Sequence, residues 1–145
     1  KAFEEVRTGE AGDAFVQTVL TIVVNTGLVS HMVEDCYNCA VAHSVCYGLN
    51  LIPGLEEKFL HGDLVAYGVL VQLMLDQDRA QAKEVKSLLR DLGIPTTLAE
   101  MGLSPDREKL DPVIQETVTG PDMEHIPYPV TGEMIWKAME ETEIL

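Results

Sequence analysis

Positive charge is scarce in this sequence: ten lysines and arginines face 24 aspartates and glutamates, for a net charge of −14. A phosphate backbone would be repelled, and no basic stripe interleaved with aromatics offsets the repulsion, so nucleic acid is excluded as a partner. Aromatics are sparse too. Phe15, Phe59, Tyr67 and Trp136 recur, like the six methionines, at helical spacing, which assigns them to core packing and not to a ligand cage. The three cysteines crowd between Cys36 and Cys46, an odd number that builds no paired disulfide framework. With no basic-then-apolar leader ahead of them, the reading is a reducing cytoplasm. Long hydrophobic runs are missing as well. The run 65–75 is broken by Tyr67, Gly68 and Gln72, well short of the roughly 20 residues of a membrane span, so a soluble chain with no membrane partner is expected. No glycine-rich strand-to-helix turn occurs, so no phosphate-cradling site is found.

What is present is a helical pattern. At 145 residues and 46% hydrophobic composition the chain is the size of one domain with one core. It begins at Lys1 inside an amphipathic pattern, which is read as a piece of something longer. A helix carrying Phe15, Val16, Leu20, Val23 and Val24 is expected to stop at Gly27, and another to run from about residue 34 to 47 with Gly48 as its cap. Pro53-Gly54 marks the following turn. Residues 61–75 are apolar on several faces, as in a helix buried in a bundle. Asp78 is expected to cap the next helix, which ends at Gly93-Ile94-Pro95. Ser104-Pro105-Asp106 is read as the start of a helix reaching Gly120, and Thr131 as the start of the last. No segment alternates with period two, so the fold class is all-α.

Two histidines bracket the turn between the central helices. His43, read as lying late in one helix, and His61, at the start of the next, could meet across two antiparallel helices. Neutral imidazole is a good ligand for Zn²⁺ or Fe²⁺, and a catalytic centre typically takes three protein ligands. Spacing alone leaves two readings open: a shared metal, or partly buried histidines hydrogen-bonded to backbone or carboxylate.

Other polar groups read more blandly. Cys36 and Cys39 form a C-x-x-C on one helical face with His43, formally a Cys₂His zinc set, but more often such cysteines are small buried side chains. Asp63 either orients His61 or complements the helix N-terminus, the second reading being preferred. His31 and His125 are read as surface or core histidines, and Glu140, Glu141 and Glu143 as a solvated helix end.

The stretch AHSVCYGL followed by FLHGDLVAYGVLVQLML resembles the core of the glycerol dehydrogenase branch of the iron-containing alcohol dehydrogenase family. There, AHA is followed by a turn to Gly-Leu, a proline-containing loop and HGE-x-V-A-F-G. The likeness continues through LGIPTTLA (residues 92–99) and through residues 125–131, similar to the family's HNMPxGVT segment. It implies a helical bundle like the C-terminal domain of the dehydroquinate synthase-like fold, with His43 and His61 as ligands of Zn or Fe. It implies an NAD-dependent oxidation of a small alcohol or polyol to a ketone or aldehyde, in a homo-oligomer.

Residues 1–145 are then one helical metal-binding domain whose N-terminal nucleotide-binding domain is missing. The family's upstream metal-binding aspartate has no counterpart, since 42 residues precede His43 and Asp13, Asp35 and Asp63 are not substitutes. No catalytic or cofactor-binding residue is assigned, and these residues alone are expected to be inactive. Bulky residues 31–38 stand where relatives carry glycines, and Cys46 where some have a second histidine. Two alternatives stand beside this reading: a non-catalytic helical interaction domain, and a dehydroquinate synthase-like lyase fragment, which the HGD-x-V-A-Y-G wording fits less well.

Overall fold

The computed structural model describes residues 1–34 and 37–145, whose regular secondary structure is helical, with no strand among them. They divide into two compact units, Lys1–Asn38 and Cys39–Leu145.

In the first unit, α1 (Ala2–Thr8) ends at Gly9, whose φ of +74° turns the chain back. The Glu5 carboxylate accepts the backbone N–H of Phe15 at 2.6 Å and so caps α2 (Asp13–Leu20). The helix does not stop at Gly27. It continues through a π-turn at Thr21–Asn25 into α3 (Thr26–Met32). Thr26 donates from both its backbone N–H and its Oγ1 to the carbonyl of Thr21, five residues back, which supports the widened turn.

Asp13–Met32 is thereby one 20-residue helix, long and apolar enough to cross a membrane by length and composition, with a mean hydropathy of 1.4. Scanning for an unbroken apolar run missed it, because Gln17, Thr18, Thr21 and Asn25 interrupt the run without lowering its mean enough. A core helix of a soluble protein passes the same test. None of the described residues of this unit is buried.

The second unit is built around α6 (His61–Leu75), which packs on α4 (Val41–Leu49), α7 (Arg79–Asp91) and α9 (Gly132–Glu143), while α8 (Asp111–Thr119) packs on α4 and α9. The short α5 (Leu55–Lys58) fills the α4–α6 connection. Leu64, Tyr67, Leu70 and Val71 of α6 are buried on more than one face, as a central helix requires. Asp78 caps α7 through the N–H of Gln81, and Thr131 caps α9 through that of Met134.

Two expected boundaries shift. The helix expected from residue 34 begins at Val41, because Ala40 is extended, and it runs through Gly48 to Leu49. Gly48 is therefore not a cap. A Cβ there would lie 2.4 Å from the carbonyl oxygen of Val113, so glycine lets α4 and α8 touch. The helix expected from Ser104 begins at Asp111. Pro112, with no N–H and a ring that clashes one turn back, fits only in a first turn.

Buried polar groups tie the outer segments down. Lys86, 5% exposed, donates from Nζ to the Thr142 carbonyl at 2.6 Å and pins α7 to the end of α9, while burial lowers its pKa. Glu143 accepts the N–H of Leu98 at 2.7 Å, and Glu100 accepts both the N–H and the hydroxyl of Thr96, which together fix the LGIPTTLA segment. Tyr128 donates to Asp76 at the end of α6 and anchors the proline-rich loop 121–129. Burial, with the Asp76 carboxylate second, pushes the Tyr128 phenol up to about 12.

The tightest contact is between α4 and α6. A Cβ on Gly68 would lie 2.2 Å from the carbonyl oxygen of Ala42 and 2.8 Å from its Cα, both backbone atoms that cannot swing aside. Gly68→Ala should therefore cost about 1–3 kcal/mol in urea unfolding, overriding the 0.5–1 kcal/mol that alanine gains in a helix. Gly62, on the same helix with nothing within 4 Å of its Cβ, is the control. Its alanine variant should be neutral or more stable. Equal effects at the two sites would refute the crossing argument.

The hydrogen bonds from Thr96 hold the Glu100 carboxylate below its ordinary value of 4.5. A depressed carboxylate stabilises the fold above its unfolded pKa and loses that contribution as pH falls through the folded one. Glu100→Gln should accordingly show a shallower fall in Tm than the parent below about pH 4.5, with the two curves parallel near neutrality. Parallel curves at every pH would remove Glu100 from the acid response.

Candidate metal centre

His43 lies in the first turn of α4, not its last, and His61 is the first residue of α6. Two contacts on each helix set their relation: Ala42 of α4 meets Gly68 and Gln72 of α6, while Cys46 meets His61. As α4 is followed forward, its partners on α6 run backward, so the two helices are antiparallel. Gly68 and His61 are seven residues apart, two turns, and hence on one face of α6.

That geometry brings the two imidazoles together. Their ring centroids are 5.8 Å apart, with the planes inclined by 44°. His43 is half-buried and His61 exposed, so the pair faces an accessible space. Helix ends hold both in place. Gln72 Oε1 accepts the N–H of Ala42 at 3.3 Å, supplying α4 with the cap its own N-terminal residue lacks. Asp63 Oδ2 accepts the N–H of Leu60 at 3.0 Å, which closes the first turn of α6 at His61. The preferred reading of Asp63, a helix-end carboxylate, matches this bond.

Around the pair lie softer groups. Cys46, fully buried, places Sγ 3.5 Å from His61 Nδ1, and burial pushes its thiol pKa up. The Tyr47 ring lies 6.4 Å from that of His43, centroid to centroid. Cys39 sits beside Asp122 and Tyr47, and burial, with the Asp122 carboxylate second, raises its pKa, the opposite of what a reactive thiolate needs. Cys36 and Asp35 lie outside the described residues, and so does the C-x-x-C pairing. His125 is exposed in the loop before α9, and His31 ends α3 in the other unit.

Among the described residues, no group of three or more His, Cys, Asp or Glu is placed to hold a metal. The donor chemistry of the pair fits a divalent metal as two of the three ligands of a catalytic centre. Sequence spacing did not disclose what Cys46, Gln72 and Gly68 do here. The usable signal was positional: Cys46 at i+3 from His43, and Gly68 and Gln72 at i+7 and i+11 from His61, share faces with the histidines.

No family model matches the chain. Individual proteins do. Hydroxycarboxylate dehydrogenase A of Escherichia coli K12 is 32% identical over 146 residues, which is 99% of this chain and 40% of that protein. A glycerol dehydrogenase of Thermotoga maritima is 32% identical over 125 residues, covering 84% of this chain and 34% of that protein. The structure of a probable glycerol dehydrogenase from Sinorhizobium meliloti 1021 superposes with a TM-score of 0.66 at 27% identity, over 73% of this chain and 30% of that one. This chain is a relative of the C-terminal part of the glycerol dehydrogenases. It spans 34–40% of the length of these two curated dehydrogenases, and its all-helical fold is that of a glycerol dehydrogenase's helical part.

Proposed function

We propose that this chain is the metal-binding, C-terminal part of an NAD-dependent dehydrogenase that oxidises a small alcohol or polyol to a ketone or aldehyde. The observation that carries the reading is the facing of His43 and His61, whose rings lie 5.8 Å apart on two helices locked by a glycine crossing. The resemblance of AHSVCYGL and HGDLVAYG to the family's paired motifs supports it, as do the dehydrogenase names of the relatives.

His43 and His61 are the residues that would hold the metal, with a third ligand drawn from outside the described donor set. A divalent metal bound there would supply Lewis acidity toward a substrate hydroxyl, and a nicotinamide bound outside these residues would take the hydride. The chain's own contribution is positional: α4 and α6 hold two neutral donors at a fixed separation beside an open space. A cytoplasmic location and a homo-oligomeric state belong to the same reading. Because hydroxycarboxylate dehydrogenase A matches across 99% of this chain, hydroxycarboxylates belong beside glycerol and 1,2-diols in any substrate panel.

The test is made on the full-length polypeptide that carries this chain, with NAD reduction followed across that panel. His43→Ala and His61→Ala should each lower kcat/KM by on the order of 100-fold or more, since a Lewis-acid metal supplies several kcal/mol of transition-state stabilisation. Zinc titration of the same variants should show weakened binding in both. Full activity and unchanged zinc binding in either variant would overturn the reading.

A further inference from the structure

Cys46 is completely buried one turn after His43, and its sulfur meets three polar groups: His61 Nδ1 at 3.5 Å, the His61 carbonyl oxygen at 3.9 Å and Asn50 Nδ2 at 4.0 Å. A thiol has one proton to give and sulfur lone pairs to accept with. Of its three neighbours, the carbonyl can only accept and the amide nitrogen can only donate. The thiol proton has two acceptors within reach, the His61 carbonyl and an unprotonated Nδ1; given to the carbonyl, it leaves the sulfur lone pairs for Asn50 and for a proton on Nδ1.

This allocation bears on the metal pair. A neutral imidazole carries its proton on one nitrogen and coordinates through the other, and a hydrogen bond to the protonated nitrogen decides which. We propose that Cys46 is a positioning residue, which holds His61 as the Nδ1–H tautomer and leaves Nε2 as the nitrogen that shares a metal with His43. The proposal rests on the metal reading of the pair given above. It makes the sulfur a support for the ligand and not a ligand. In many metal sites a carboxylate or carbonyl fills this role. Here the group at that place is a thiol, and position 46 is fully buried.

Long-range ¹H–¹⁵N correlation spectra of the metal-free chain, at a pH where imidazole is neutral, read the tautomer directly. His61 should show a protonated Nδ1 and a pyridine-like Nε2 in the parent chain, and Cys46→Ala should move it toward a mixture of tautomers. Predominant Nε2–H in the parent overturns the proposal, and this measurement needs no variant to fold. In zinc titrations, Cys46→Ala should weaken binding about 10–100-fold, as loss of such a partner typically does, and Cys46→Ser should recover part of both the affinity and the tautomer signal. Unchanged zinc affinity in Cys46→Ala overturns the proposal. So does a thiolate-to-metal charge-transfer band in the cobalt-loaded chain that Cys46→Ser abolishes, which would make the sulfur a ligand. The underlying reading fails separately, if His43→Ala leaves zinc affinity unchanged. In that case the His61 tautomer still decides what Cys46 does.

Discussion

The backbone contact between Gly68 and Ala42 is the constraint from which the rest of the site follows. Two antiparallel helices approach until a Cβ at Gly68 would lie 2.2 Å from a carbonyl oxygen, and that closeness fixes their register as well as their separation. His43 is the residue after the contact on one helix, and His61 lies two turns before it on the other. Neither histidine has to seek the other. Their 5.8 Å separation is a by-product of main-chain packing, reinforced where Gln72 of α6 caps α4 and Asp63 closes the first turn of α6. The motif glycines thereby acquire a physical meaning: Gly68 seats α6 on α4, and Gly48 seats α4 on α8.

Those glycines also mark where sequence reading ran out. A glycine after a helical run can end the helix by adopting positive φ, or it can sit inside the helix and admit a neighbour. Gly9 and Gly93 do the first, with φ near +75°, while Gly48 and Gly68 do the second. Pattern alone assigned Gly27 and Gly48 to the first class, since the neighbour that decides is more than 60 residues away in the case of Gly48. Elements with local chemistry were legible: Asp78 as a cap, Thr131 as the start of the last helix, the span of α6, and the all-helical class. The start of α8 was misread because Pro105 and Pro112 are equally good first-turn residues, and the structure uses the later one.

The site itself was legible only in outline. Spacing allowed His43 and His61 to meet but put His43 at the wrong end of its helix, and the motif likeness, more than periodicity, singled out the pair. The contact of Cys46 with His61 could not be read at all from the chain. It depends on the connection between them, across 15 positions of sequence, returning α6 to the same turn of α4. Similarly, Asp63 falls next but one to His61 in sequence, and its carboxylate accepts the backbone N–H of Leu60.

Two imidazoles are neutral donors, and this limits what the pair does by itself. A divalent cation taken from water into a partly buried site keeps its full charge when only neutral nitrogens face it, and desolvation then works against binding. The surrounding chain is strongly acidic, at −14, but Asp63, the carboxylate two residues from His61, is engaged with a backbone N–H. On the proposed metal reading, what the helices would supply is preorganisation: the conformational entropy of bringing the two imidazoles together is already lost when the core of α4, α6 and α8 forms, so binding free energy would not be diverted into folding as it is in small zinc domains. A single anionic ligand added to this prearranged pair would provide the missing charge and complete the three-donor set. That division, geometry from the helical seam and charge from elsewhere, is what the proposed metal reading asks of this unit, whose core is built from apolar burial and glycine contacts.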